Sequence, residues 1–345
     1  MDLQLNDSQK VLVDSAQRFF ARSYPLERMR EIFLLNDTFD AALWREIGEL
    51  GWNAVALPED IGGYDGSAVD ALLLLIEMGR AGCLSPYAHS SVAAALALAR
   101  IDPALASEIA ASQMSIMPVP AIRMRSHPAI ARGRLHGHAQ PVAWADTVTH
   151  LLCEFDDQAY LVAMAHPAVR REKLASVRGE PLYDVRFGGA DAQSLGPARP
   201  LFDALRDFGA FACAGLLQGI GERSLELAVD YAKERIQFGR PIGSFQAIQH
   251  KAADMRIASE VSRVLVLRAA AERDPERFSA AASRAKAWNC DAVRKITREA
   301  MQIFGGVSFA GDHVIQLMYQ AVITLGSHYE AAHEHRARLA TALLG

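Results

Sequence analysis

The sequence predicts an α+β fold in which a helical region, a small β region and a longer helical region follow one another along the chain. Two observations carry this. Apolar residues recur at helical spacing from Asp7 to about Ala111 and again after Pro200. Between them prolines recur, and short runs rich in Val, Leu, Tyr and Phe are separated by charged or Gly-containing turns. The expected division is 1–113, 114–200 and 201–345. With 345 residues, 51% hydrophobic and 22% charged, the chain has enough apolar surface to bury a core in roughly two domains, and general disorder is excluded.

In the first region Val11, Ala16, Phe19 and Phe20 form one expected helical stripe, and Leu43, Ile47 and Leu50 another. Ala71 to Ile76 and Val92 to Ala99 read as buried helices, too short or too closely bounded by charge to span a bilayer. The segment ALPEDIGGYDG interrupts the helices because it is rich in turn formers. In the middle region THLLCEF and QAYLVAMA, with Asp156 and Asp157 between them, read as adjacent strands joined tightly. The last region predicts helices over 203–235, 245–270, 280–303 and 311–342, broken near Gly239 to Gly243 and at Gly305 with Gly306. Small Ala and Gly residues in the first of these permit close packing.

Lys and Arg total 36 against 40 Asp and Glu, a net charge of −4 without a long basic block, so nucleic-acid binding is a poor expectation. Cys83, Cys153, Cys213 and Cys290 are widely separated, form no CxxC pair and read as buried thiols in a reducing compartment. The acidic and polar start MDLQLNDSQKVLVDS lacks the pattern of a secretory signal, and a cytoplasmic location is expected. His313, His328, His333 and His335 have no convincing ligand set with Asp or Cys, so no metal is expected. Trp144 and Trp288 read as packing residues.

Two segments can carry chemistry. In YAKERIQFGRPIGSFQAIQHKAADM, Gly239 and Gly243 permit a sharp connection between helices, Pro241 restricts it and Ser244 can cap the next helix. Arg235 and Arg240 flank that turn; an arginine here can pair with a diphosphate or make ordinary surface ion pairs, and Gln237 can donate or accept a neutral hydrogen bond. In MQIFGGVSFAGDHV, Gly305 and Gly306 allow close approach of a ligand to the backbone, with Gln302 just before them, although neither a P-loop nor GxGxxG is present. Asp312 reads as a helix cap. Arg123, Arg125, Arg132 and Arg134 form a further basic feature, either a CoA phosphate contact or a charged strand edge.

ERIQFGRPIGSFQAIQHKAADM, followed later by QIFGGVSF, resembles the C-terminal domain of the acyl-CoA dehydrogenase family, and GWNAVALPEDIGGYDG resembles that family's N-terminal helical domain. The resemblance covers nearly the whole chain and is weakest in the middle. It implies an N-terminal helical domain, a central β domain and a C-terminal four-helix domain, assembled as dimers or tetramers. It further implies FAD, with Arg235 reaching the phosphates across a subunit interface, Gln237 and Phe238 as neighbouring contacts, and Gln302, Gly305 and Gly306 meeting the adenosine diphosphate portion from a partner subunit. The implied reaction is α,β-dehydrogenation of an acyl-CoA: a carboxylate takes the α proton while the β hydrogen leaves as hydride to the flavin. Electron-transferring flavoprotein is the implied electron acceptor.

The chain departs from that pattern on the substrate side. No glutamate occurs in the vicinity of Phe208 to Ala210, one family position for the base. The other position, often Tyr-Glu-Gly, is met by Tyr329, Glu330 and Ala331, which makes Glu330 the candidate base, with a solvated helix carboxylate as the alternative. The stretch from Met114 to Pro118 onward lacks the family's Thr/Ser- and Gly-containing acidic segment. Two functions therefore compete: an acyl-CoA dehydrogenase acting within a homo- or hetero-oligomer, and a noncatalytic or flavin-completing partner that stabilises a catalytic subunit. Pairing with a nonidentical subunit is the arrangement of family members that handle bulky steroid or side-chain CoA thioesters.

Overall fold

A computed structural model describes residues 4–34, 40–176 and 180–344. In chain order the helices before the sheets are α1 (Asp7–Ser23), α2 (Leu26–Leu34), α3 (Ala41–Glu49), α4 (Ala68–Ala81), a π-helix (Ala88–Ala94) continuing into α5 (Ala95–Leu98), and α6 (Pro103–Ala110). Strands β1 (Ile116–Val119), β2 (Met124–Ala131), β3 (Arg134–Ala143), β4 (His150–Phe155), β5 (Gln158–Ala163), β6 (Val169–Leu174), β7 (Leu182–Asp191) and β8 (Gln193–Pro197) follow. The rest comprises α7 (Ala198–Glu234), the short strands β9 (Ile236–Gln237) and β10 (Arg240–Pro241), α8 (Gln246–Ala270), α9 (Pro275–Phe304), α10 (Val314–Ser327) and α11 (Ala332–Leu344). The chain divides into two compact units, one of 1–36, 68–84 and 210–345, the other of 37–67 and 85–209.

In the first unit every residue of α7 from Phe211 to Ile220 is buried, as befits a helix enclosed on all sides. Its glycines set the packing against α4. A Cβ on Gly219 would lie 1.9 Å from the carbonyl oxygen of Ile76, and one on Gly79 would lie 2.1 Å from that of Leu216. The two backbones thus approach more closely than any side chain allows. Beside this crossing Arg80 pairs with Glu77 at 3.5 Å, Glu222 at 3.2 Å and Glu226 at 2.9 Å. Burial pushes the Glu77 carboxyl up, partly offset by a hydrogen bond from Gln17 and by the Arg80 charge. These groups line a cavity of about 380 Å³. Elsewhere in this unit α9 packs against α8, α10 and α11.

The second unit holds two four-stranded sheets, ordered β1-β4-β5-β8 and β2-β3-β7-β6. β1 runs parallel to β4, and the other pairs are antiparallel. Asp156 and Asp157, at φ 50° and 55°, form the expected tight turn between β4 and β5. The edge strand β6 exposes Arg170, Arg171, Glu172 and Lys173, which blunt it against further pairing. Trp144 is buried, as expected, and its Nε1 donates to Glu180 Oε1 at 2.6 Å. The four cysteines are buried and form no disulfide.

Several local expectations are corrected. Ala16, Phe19 and Phe20 are buried but Val11 is 63% exposed, and Leu50 is 49% exposed beside buried Leu43 and Ile47, because each helix turns only one stripe inward. The first three residues of Val92 to Ala99 are π-helical. Ser90 Oγ there accepts from the Ile116 amide at 3.0 Å, and Ser91 donates to Asn53 at 2.7 Å, so tertiary partners hold the widened turn. Trp288 remains 40% exposed, with Nε1 donating to Ser262 Oγ. The single helix expected over 311–342 is two helices, α10 and α11. Among the described residues no helix is long and apolar enough to cross a membrane.

Candidate functional site

The connection after α7 is a two-residue hairpin. Phe238 and Gly239 have φ 53° and 77°, the left-handed pair a tight turn between β9 and β10 requires, and Gln237 pairs with Arg240 across it. Gly243 lets the chain return beneath α7, where a Cβ would sit 3.0 Å from the Ala232 carbonyl oxygen. Arg240 stacks its guanidinium 4.3 Å above the Phe245 ring. Ser244 does not cap α8: its hydroxyl donates to the Pro241 carbonyl at 2.7 Å, and Phe245 occupies the cap position. Arg235 and Gln237 are exposed, and the Gln237 amide donates to the Ile236 carbonyl at 2.8 Å.

At the end of α9, Gly305 adopts φ 71° and ψ −150°, a conformation restricted to glycine. No heavy atom lies within 4 Å of a Cβ built on Gly305 or Gly306, so the backbone there faces open space. Ser308 fixes the turn by donating to the carbonyls of Met301 at 3.1 Å and Gly305 at 2.7 Å. Gln302 is exposed one turn earlier. Tyr231, four residues before Arg235, stacks on Phe304 with ring centroids 4.5 Å apart. That stack brings the last turns of α7 and α9 together, so the hairpin and the glycine pair leave the bundle at the same end. Around them Ile236, Phe238, Val307 and Phe309 are 61%, 92%, 51% and 70% exposed. Asp312 does not cap α10; His313 does, its Nδ1 accepting from the Ile315 amide at 3.3 Å, because the helix begins one residue later than the sequence suggests.

Glu330 lies elsewhere in the same unit, in the turn between α10 and α11. Tyr329 and Glu330 have φ 50° and 73°, two successive left-handed residues that are not glycine. Three side chains of α11 hold the turn. His335 Nε2 donates to the Tyr329 carbonyl at 2.8 Å, Glu334 accepts from the Ala331 amide at 2.6 Å, and Arg338 pairs with Glu330 through both carboxylate oxygens, Nε to Oε2 being 2.7 Å. From α9, fully buried Lys286 donates to the Leu325 carbonyl at 2.5 Å. Because a carbonyl only accepts, His335 carries its proton on Nε2, and Nδ1 accepts from Ser283 at 3.1 Å. Burial, reinforced by the Lys286 charge, pushes His335 down to about 4. At the other family position for a base, Phe208 and Ala210 are buried, and Phe208 lies under the Arg100 guanidinium at 5.0 Å. Arg123 precedes β2 and Arg125 is its second residue, opposite His138, whereas Arg132 and Arg134 lie at the turn beyond its other end, where Ala131 pairs with Arg134.

A pH dependence follows from His335. The unfolded imidazole, near 6.5, binds a proton that the folded one near 4 rejects. This contribution is therefore present above pH 6.5 and is lost as pH falls toward 4, reaching about 3 kcal/mol. Urea unfolding at pH 7 and 5 is expected to show a stability loss that shrinks in His335→Asn; equal losses in both proteins would contradict the assignment.

The architecture is that of an α+β protein, with an exposed arginine hairpin and an open glycine turn at the ends of α7 and α9. Residues 6–120 match the N-terminal domain of acyl-CoA dehydrogenase, and residues 205–325 match its C-terminal domain. The acyl-CoA dehydrogenase IpdE2 of Mycobacterium tuberculosis is 30% identical over 285 residues, covering 82% of this chain and 80% of the relative. The chain belongs to the acyl-CoA dehydrogenase family. Among solved structures, the Tcur3481-Tcur3483 steroid ACAD is 25% identical at TM-score 0.86 over 98% of both chains. The FAD complex of PigA shares the fold at TM-score 0.88 and 19% identity, covering 99% of each chain.

Proposed function

We propose that this chain is a flavin-completing subunit of a heteromeric acyl-CoA dehydrogenase that acts on a bulky, steroid-type CoA thioester. The observation that carries the reading is the candidate base itself: Glu330 is held by Arg338 through both carboxylate oxygens. A carboxylate so engaged must give up a charge-assisted pair to take a proton. The absence of any carboxylate from Phe208 to Ala210 supports it, as does the likeness to a steroid ACAD named for two components.

The flavin side fits a bound FAD. The open backbone at Gly305 and Gly306 admits the adenosine diphosphate portion, Arg235 supplies a planar donor set for a phosphate, and Gln237, Phe238 and Gln302 flank them. FAD, when bound, supplies the hydride acceptor that no side chain provides. The apolar residues around the hairpin are the surface that a catalytic partner covers, and electron-transferring flavoprotein is the proposed electron acceptor.

The test is co-expression with a candidate catalytic subunit, followed by anaerobic visible spectra as acyl-CoAs are added. The chain alone is expected to hold FAD weakly and not to bleach it, whereas the complex bleaches. Glu330→Gln is expected to leave turnover of the complex within about twofold, consistent with loss of a half-exposed ion pair. A homo-oligomer that bleaches fully, and loses turnover in Glu330→Gln, would replace this reading with a self-sufficient dehydrogenase using Glu330 as base.

A further inference from the structure

We propose that Arg338 is a latch on Glu330: it holds the carboxylate as an ion-pair partner and so suppresses its capacity to accept a proton. The inference rests on the subunit reading above and names the residue responsible for that silence. Its basis is the construction of the turn. Tyr329, Glu330 and Ala331 are each gripped by one side chain from the first two turns of α11, respectively His335, Arg338 and Glu334. The left-handed backbone at Tyr329 and Glu330 turns the glutamate back toward the helix that follows it, within reach of a guanidinium eight residues later.

The grip is positional as well as electrostatic. His335 is neutral and fully buried, so it fixes the Tyr329 carbonyl without adding charge, and Lys286, Glu330 and Arg338 are charged groups that act on it. Lys286 is committed to the Leu325 carbonyl, whereas Arg338 meets both Glu330 oxygens in the fork geometry that matches a carboxylate. The Glu330 and Arg338 side chains are 26% and 40% exposed, so the pair contributes little to folding and can be cut without unfolding the unit. Arg338 thus acts through Glu330 and is a positioning residue. Once the latch is cut, the step is proton transfer alone: the α C–H bond of a thioester breaks, the proton passes to a Glu330 oxygen, and the electron pair stays on the enolate.

The decisive measurement is the titration of the Glu330 carboxyl by carbon-13 NMR of the glutamate Cδ, assigned by difference with Glu330→Gln. Arg338→Met is expected to raise the proton affinity of Glu330 about tenfold, and Arg338→Lys to restore part of the suppression. The second measurement is deuterium incorporation at C2 of butyryl-CoA and octanoyl-CoA in D2O by the FAD-loaded chain. Exchange that rises in Arg338→Met and vanishes when Glu330→Gln is added supports the latch. A shifted titration without exchange would show that Arg338 is not what keeps Glu330 from the α proton, and overturns the latch. An unshifted titration in folded Arg338→Met, or exchange that survives Glu330→Gln, overturns the latch alone. A wild-type chain that dehydrogenates by itself overturns the subunit reading, and overturns the latch too if its exchange equals that of Arg338→Met.

Discussion

Gly219→Ala is expected to lower the stability of the helical unit by about 3 kcal/mol, or to prevent the protein from accumulating in soluble form. The added methyl would meet the Ile76 carbonyl oxygen at 1.9 Å and the Arg80 amide nitrogen at 2.7 Å. Both are backbone atoms that no rotamer change removes, so α4 and α7 must move apart and lose packing along the crossing. Alanine's better helix propensity returns only about 1 kcal/mol. Gly79→Ala meets the same crossing from the other helix, 2.1 Å from the Leu216 oxygen, so the double variant should cost less than the sum. Gly306→Ala, with nothing within 4 Å of the new Cβ, is the control and should unfold with nearly unchanged urea dependence. Equal stability in Gly219→Ala and Gly306→Ala would show that the two helices are not in backbone contact.

Arg235→Ala is expected to weaken FAD binding by the native assembly roughly 10- to 100-fold, the worth of a hydrogen-bonded contact to a charged group. Because the Arg235 side chain is exposed on the hairpin, the flavin-free protein should unfold as the wild type does. Loss confined to the flavin-loaded state separates ligand binding from folding. Arg235→Lys should fall between the two, since an ammonium keeps the charge without the planar fork. Flavin fluorescence titration reads the affinity directly; identical titrations for wild type and Arg235→Ala would remove Arg235 from the cofactor site and leave it as a surface charge.

These expectations differ in how far the sequence alone supports them. The hairpin after α7 is legible because its chemistry is local: Phe238 and Gly239 are adjacent residues in the left-handed region, and Gly305 occupies a conformation reserved for its residue type. The strands β4 and β5 are equally legible, since two Asp residues between apolar runs specify a turn without reference to the rest of the chain. The caps were less so. Ser244 and Asp312 have suitable side chains for capping, but the cap falls one residue beyond each of them, at Phe245 and His313, and which residue becomes a cap depends on that boundary.

The order of helical, β and helical segments, the family, and the residue types at the hairpin and the glycine turn are legible without the fold, because periodicity and turn chemistry act over a few neighbouring positions. The tertiary structure decided the rest. The break between α10 and α11 falls at Tyr329 and Glu330, neither of them a helix breaker by type, and the turn persists because side chains of α9 and α11 hold it. A π-helix replaces an α-turn at Ala88–Ala94 where serines reach residues distant in sequence. The state of Glu330 likewise depends on a guanidinium eight residues away, brought round by that turn. A glutamate's identity is written in the chain, but its capacity to take a proton is set by the charges the fold places beside it.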